Sequence, residues 1–268
     1  MKRLSEGHSD LNIQASTVAN GVHMRRAADR HHTRLDWLDG RHSFDTGVRP
    51  FGQDTHHGVL VVNNHDTIAP NTGFDTHPHR NMEIVTWVLE GSLVHQDSTG
   101  HAGAIYPNLA QRMSAGRGIR HSERNDHAGS LPGARHPVDL VQMWVVPDRA
   151  EIDPGYAQLE LDPNELDGAL RVVASGRRAH RDEAAIGISN AYAAFYVARL
   201  APGRSVLVPD APFVHLYLAR GRAHLEDAGA LDTGDAVRLT AAGQRRITAT
   251  EAAEVLVWEM HASLVTSD

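Results

Sequence analysis

Of 268 residues none is cysteine, so disulfides, thiolate nucleophiles and cysteine-held zinc or iron–sulfur sites are excluded. Lysine occurs once, at Lys2, which removes a buried Schiff-base lysine from consideration. Aromatic residues make up only 5% of the chain. No apolar run reaches the roughly 18 residues that a membrane helix needs. Residues 1–23 lack the apolar core of a signal peptide, and a cytoplasmic protein is the expectation. The net charge of −7 carries no sustained run of one sign, which argues against direct nucleic-acid binding.

What the chain does have is histidine, 19 of them. Two short motifs matter: His77-Pro-His79 and His121-Ser-Glu123. Each is spaced i, i+2, which on a strand turns both side chains to one face. Two such strands side by side bring three imidazoles and a carboxylate to a common point. That donor set suits a divalent first-row metal with open positions left over. The context is β-like: Glu83-Ile-Val-Thr-Trp-Val-Leu89 is β-branched and aromatic, and Gly91 closes it. The glycine-rich Ala115-Gly-Arg-Gly-Ile119 leads into the second motif.

Residues 1–23 are polar and aperiodic and read as a disordered or extraneous extension. Gly58–Asn63 and Val138–Val146 are expected strands, and the proline-containing, acidic stretch 147–167 reads as a linker with one helical turn. The second half repeats the grammar with expected strands at Leu170–Ala174, Ala191–Ala198, Phe213–Leu218 and Ala253–Trp258. Trp87-Val-Leu-Glu-Gly-Ser-Leu-Val-His95 matches Leu216-Tyr-Leu-Ala-Arg-Gly-Arg-Ala-His224 as strand, glycine turn, strand. The chain is therefore expected to be all-β, two similar jelly-roll-like barrels: 24–150 with the histidine motifs, and 151–268, degenerate and metal-free.

The stretch from His77 to Gly91 resembles the first cupin motif. Ser114-Ala-Gly-Arg-Gly-Ile-Arg-His121-Ser-Glu123, Trp37–Phe44 and Val141–Arg149 resemble the pirin branch of the cupins, above all bacterial pirin-like proteins. The resemblance implies a bicupin with one mononuclear divalent metal in the first barrel, held by His77, His79, His121 and Glu123. It puts Fe(II) first, ahead of Mn, Ni, Co, Cu and Zn. Some bacterial relatives are quercetin 2,3-dioxygenases, which implies a flavonol and O2 as substrates, with Glu123 as candidate catalytic base. Two other readings stand beside it: a metal- or redox-sensing protein that regulates a protein partner, and a cupin acting on another enolisable substrate. A monomer is expected, with no membrane contact. One departure is Pro107-Asn-Leu109 where the family has Pro-Gly-Asp, which puts that turn's shape in question.

Glu83 is expected as a buried polar group or one behind the ligands. His31, His32, His56 and His57 read as surface or loop residues; His95, His101 and His127 as solvated; His215 as filler. Phe51, Phe74, Met113 and Trp144 are candidate pocket walls.

Overall fold

A computed structural model describes residues 13–14, 21–45, 54–126 and 136–264. Among them, helix is confined to three 3-10 turns: Ala27–Asp29, Pro163–Leu166 and Arg178–His180. No helix among them is long and apolar enough to cross a membrane. The rest is strand and turn, in two compact units. The described residues of the first unit are 31–45, 54–55, 61–126 and 136–161. Those of the second are 13–14, 21–30, 56–60 and 162–264.

The first unit has a seven-stranded and a four-stranded sheet. The larger runs Gly155–Glu160, Leu109–Ser114, Glu83–Glu90, Val138–Val145, Leu60–Ile68, Leu38–His42, His31–Arg34. The smaller runs Gly73–His79, Ile119–Arg124, Leu93–Asp97, Ala102–Ile105. Glu83–Glu90 is buried along nearly its whole length because strands flank it on both sides. Its β-branched residues fit a pleat packed on both faces. Leu38, Ile68, Val88, Leu93, Ile105 and Leu140 are part of one apolar cluster within the unit. Each such side chain, fully buried, contributes about 1.5–3 kcal/mol.

The second unit repeats the design. Its larger sheet runs Gly21–Arg25, Ala236–Thr240, Phe213–Arg220, Ala253–Met260, Ala193–Leu200, Arg171–Ser175, Ile186–Gly187. Its smaller sheet runs Ser205–Val208, Arg245–Ala249, Arg222–Leu225, Gly229–Asp232. This is a bicupin, as the resemblance implies. The glycine turns matched in sequence do the same work in both units. Gly91 has φ +81 and Gly221 φ +82, and a Cβ on Gly221 would lie 1.9 Å from the Ala252 carbonyl oxygen. Only glycine adopts that geometry without strain.

The structure departs from the sequence expectation in several places. Residues 21–23, expected in an extension, begin the strand Gly21–Arg25. That strand pairs with Ala236–Thr240, so residues 24–30 belong with the second unit rather than the first. The stretch expected as a linker carries the strand Gly155–Glu160, which pairs in register with Leu109–Ser114. The division accordingly falls after Leu161, not after 150. The expected helical turn is present as Pro163–Leu166, capped by the Asp162 carboxylate. Asn108 takes the left-handed conformation (φ +72) open to the family's glycine, which asparagine tolerates. His57 is buried rather than exposed: its Nε2 lies 3.2 Å from the Leu239 carbonyl oxygen and its ring meets Phe213 edge-on. His215 is fully buried.

Candidate metal centre

Gly73–His79 and Ile119–Arg124 lie antiparallel, with His121 opposite His77 and Ile119 opposite His79. Alternation turns the three histidines to one face. Past His121 the register shifts, and Glu123 comes opposite Phe74. Such a bulge re-aims the side chains beside it.

The three rings converge. Their centroids are 4.5 Å apart for His77–His121, 4.8 Å for His77–His79 and 4.9 Å for His79–His121. Their ligand atoms lie within 4.8 Å of one another. His77 Nδ1 is 2.7 Å from the Asp75 carbonyl oxygen. A carbonyl only accepts, so Nδ1 carries a proton and Nε2 is the nitrogen left to act as a ligand atom. Nε2 of His79 and Nε2 of His121 are buried without a hydrogen-bond partner. Burial, then the neighbouring His121 and His77, pushes His79 down to about 3. Burial, then His77 and His95, pushes His121 down to about 3 as well. Both imidazoles are thus neutral at pH 7. Buried, unpartnered nitrogen lone pairs cost free energy unless something accepts them. A divalent metal among the rings would do so, and the residues fit one.

Glu123 is 3% exposed. Its Oε2 accepts from Gln142 Nε2 at 2.8 Å, and Gln142 Oε1 accepts from Trp144 Nε1 at 3.0 Å. The Trp144 ring stands edge-on to His79 at 4.8 Å. The strand Val138–Val145 therefore both holds the carboxylate and covers an imidazole. Trp144 is a wall of the site, as expected. Phe74 lies 6.2 Å from the His77 ring. Met113 is fully buried, and Phe51 lies outside the described residues.

His95 corrects an expectation. It is not solvated but 0% exposed, opposite Glu123 on the adjacent strand. It forms a second group with His121 and Glu123, whose ligand atoms also lie within 4.8 Å of one another. The signal was local: Leu93 faces the core, so alternation turns His95 inward as well. His101 is half-exposed and stacks on Tyr156 at 5.2 Å; His127 lies outside the described residues. Glu83 is buried, but alternation puts it on the opposite face of its strand from Ile84 and Thr86. There Ser114 Oγ donates to it at 2.9 Å, and it stands apart from the imidazoles.

A brace around the rim gave no sequence signal. Glu151 accepts from Arg80 and Asn81, next to His79. Arg117 donates its backbone N–H to the Ile152 carbonyl and its guanidinium to Asp153. Gly116 lies so close beneath that a Cβ would meet the Ile152 oxygen at 2.2 Å. Residues 151–153 thereby hold both loops that flank the three rings.

The Pirin family model matches residues 22–145. A Mycobacterium tuberculosis protein, provisionally named a quercetin 2,3-dioxygenase, is 53% identical over 243 residues, spanning 91% of this chain and 96% of the relative. Quercetin 2,3-dioxygenase of Escherichia coli K12 is 38% identical over 161 residues, 56% of this chain and 67% of that protein. A crystal structure of a bacterial pirin from Escherichia coli in complex with nickel(II) superposes with a TM-score of 0.77 at 28% identity, covering 90% of this chain and 99% of that one. Sequence identity spanning nearly all of the mycobacterial relative, with the same fold in solved pirins, establishes that the chain belongs to the pirin family of cupins.

Proposed function

We propose that this chain is a metal-dependent quercetin 2,3-dioxygenase that opens the central ring of flavonols with O2. His77, His79, His121 and Glu123 hold one divalent metal, with Fe(II) first among the candidates. The observation that carries the reading is the convergence of three imidazoles, two of which, at His79 and His121, have buried Nε2 atoms that lack any partner. The names of the mycobacterial and Escherichia coli relatives and the nickel(II) complex of a pirin support it.

When bound, a divalent metal acts as a Lewis acid that lowers the pKa of the flavonol hydroxyl. The protein's own groups do the rest. Glu123 takes the hydroxyl proton as general base. Gln142, anchored by Trp144, fixes the direction of that carboxylate. The Trp144 ring, 4.8 Å from the His79 ring, covers that imidazole. Dioxygen is the oxidant: both its atoms enter the opened ester, and one ring carbon leaves as carbon monoxide.

The test is turnover. Protein loaded in turn with iron, manganese, nickel, cobalt or copper is mixed with quercetin, and flavonol absorbance and oxygen are followed together. Matched loss of flavonol and oxygen in a 1:1 ratio with at least one metal is expected. No turnover with any of the five removes the quercetinase reading.

A further inference from the structure

The pair His95–Asp97 has no part in the chemistry above, yet it is among the most buried polar groups of the first unit. The His95 and Asp97 side chains are 1% and 0% exposed. His95 Nε2 lies 3.2 Å from Asp97 Oδ2, and His95 Nδ1 lies 3.5 Å from His121 Nδ1. Asp97 is itself committed: Oδ1 accepts from the Thr99 backbone N–H at 2.8 Å, the Thr99 hydroxyl at 2.6 Å and the His101 backbone N–H at 3.2 Å. Burial works to raise its pKa, but hydrogen bonds from Thr99, His95 and His101 outweigh that and hold it below the ordinary value. The Tyr156 ring covers His95 at 5.0 Å.

The tautomers follow in sequence. An ionised Asp97 only accepts, so His95 must carry its proton on Nε2. With that proton directed at Asp97, Nδ1 is the atom His95 offers to His121 as acceptor. Two bare nitrogens cannot face each other at 3.5 Å without repulsion, so His121 must carry its proton on Nδ1. That leaves the lone pair of His121 on Nε2, the buried atom that lacks a partner. We infer that His95 is a positioning residue, relaying the Asp97 carboxylate to His121 so that His121 presents its Nε2 lone pair to the point shared with His77 and His79. The inference rests on the proposed role of His121 as a ligand. Groups placed behind a ligand in this way typically change metal affinity by about 10–100-fold when removed.

The relay differs from direct ligation by His95, which the second cluster of His95, His121 and Glu123 would allow. Three variants separate these: His95→Phe, His95→Gln and Asp97→Asn, each titrated with Ni(II) against a chromophoric chelator. The relay requires one Ni(II) per chain at saturation in all three. His95→Phe weakens the affinity about 10–100-fold and Asp97→Asn about tenfold. His95→Gln recovers most of it, since its amide both accepts and donates. Histidine ¹⁵N NMR on metal-free wild type shows His121 protonated at Nδ1, and in His95→Phe the Nε2-protonated tautomer appears. A packing role alone would not move that signature. Unchanged affinity and tautomer in His95→Phe overturn the relay, and lost stoichiometry replaces it with ligation. His121→Ala is the control for the underlying reading: if it keeps full metal affinity, that reading fails first. Should His95→Phe not fold, Asp97→Asn decides alone, by the same affinity and tautomer readouts.

Discussion

The two units share a strand order but fill the same place with opposite chemistry. Four residues past the turn glycines Gly91 and Gly221 stand His95 and Leu225. Across from them lie Glu123 and Ile247. Two residues earlier come His121 and Arg245, facing His77 and Val208. In the second unit Val208, Leu225 and Ile247 are fully buried in one apolar cluster. Where the first unit gathers imidazoles and a carboxylate, the second packs Val208, Leu225 and Ile247, with Arg245 at the place of His121. By the same register Trp144 corresponds to Glu259. That carboxylate is held by Arg177, His261 and Tyr196, a closed set of partners. Sheet order and glycine turns set the barrel, and a handful of inward positions set what it does.

Emptying corresponding positions in the two units should have opposite consequences. His121→Ala should lower metal affinity well beyond the roughly 100-fold of an outer group, and abolish turnover. Ile247→Ala should do the reverse: it should cost about 2–5 kcal/mol of stability as a core truncation while leaving one metal per chain. Metal analysis and denaturant melts on both variants check this, and metal loss in Ile247→Ala would mean that the two units are not independent in function.

Glu123→Gln should have a smaller effect than His121→Ala. It keeps shape and removes basicity. If Glu123 is both ligand and base, turnover should fall by about 10²-fold or more beyond any loss of metal. A fall that merely tracks metal content would leave it a ligand only.

Acid should act on both units. His79 and His121 are pushed down to about 3 from an ordinary 6.5. In the second unit burial, then Arg238, lowers His57 to about 4. Groups depressed in this way favour the folded state fully above pH 6.5. Below it, the unfolded chain binds protons that the folded chain refuses, so stability declines as pH falls toward 3–4. The melting temperature of the metal-free protein should drop between about pH 7 and pH 4.5, and less steeply in His121→Phe. Equal slopes would show that His121 is not held neutral.

The smallest effect on function should be Glu259→Gln. It removes the charge facing Arg177 and His261, so the melting temperature should fall while metal content and turnover stay at wild-type values.

Much of this was legible in the sequence because it is local. The i, i+2 spacing of the two motifs needs only strand alternation to bring the rings together, and the two glycine turns announce the repeat. What was missed is non-local or weakly marked. Gly21–Arg25 is a short polar strand whose partner, Ala236–Thr240, lies over two hundred residues away. Gly155–Glu160 follows Pro154 and exposes Leu159, so it looks like linker until Leu109–Ser114 pairs with it. His95 is polar in itself, and only its phase with Leu93 reveals that it points inward. The brace from Glu151 to Arg80 joins residues of no recognisable pattern.

An anomalous difference map at the metal edge, from crystals of metal-loaded protein, locates the metal among these side chains. One peak is expected, within coordination distance of Nε2 of His77, His79 and His121 and a carboxylate oxygen of Glu123. A peak in the second unit, or one held by His95 and Glu123 without His77 and His79, would contradict it.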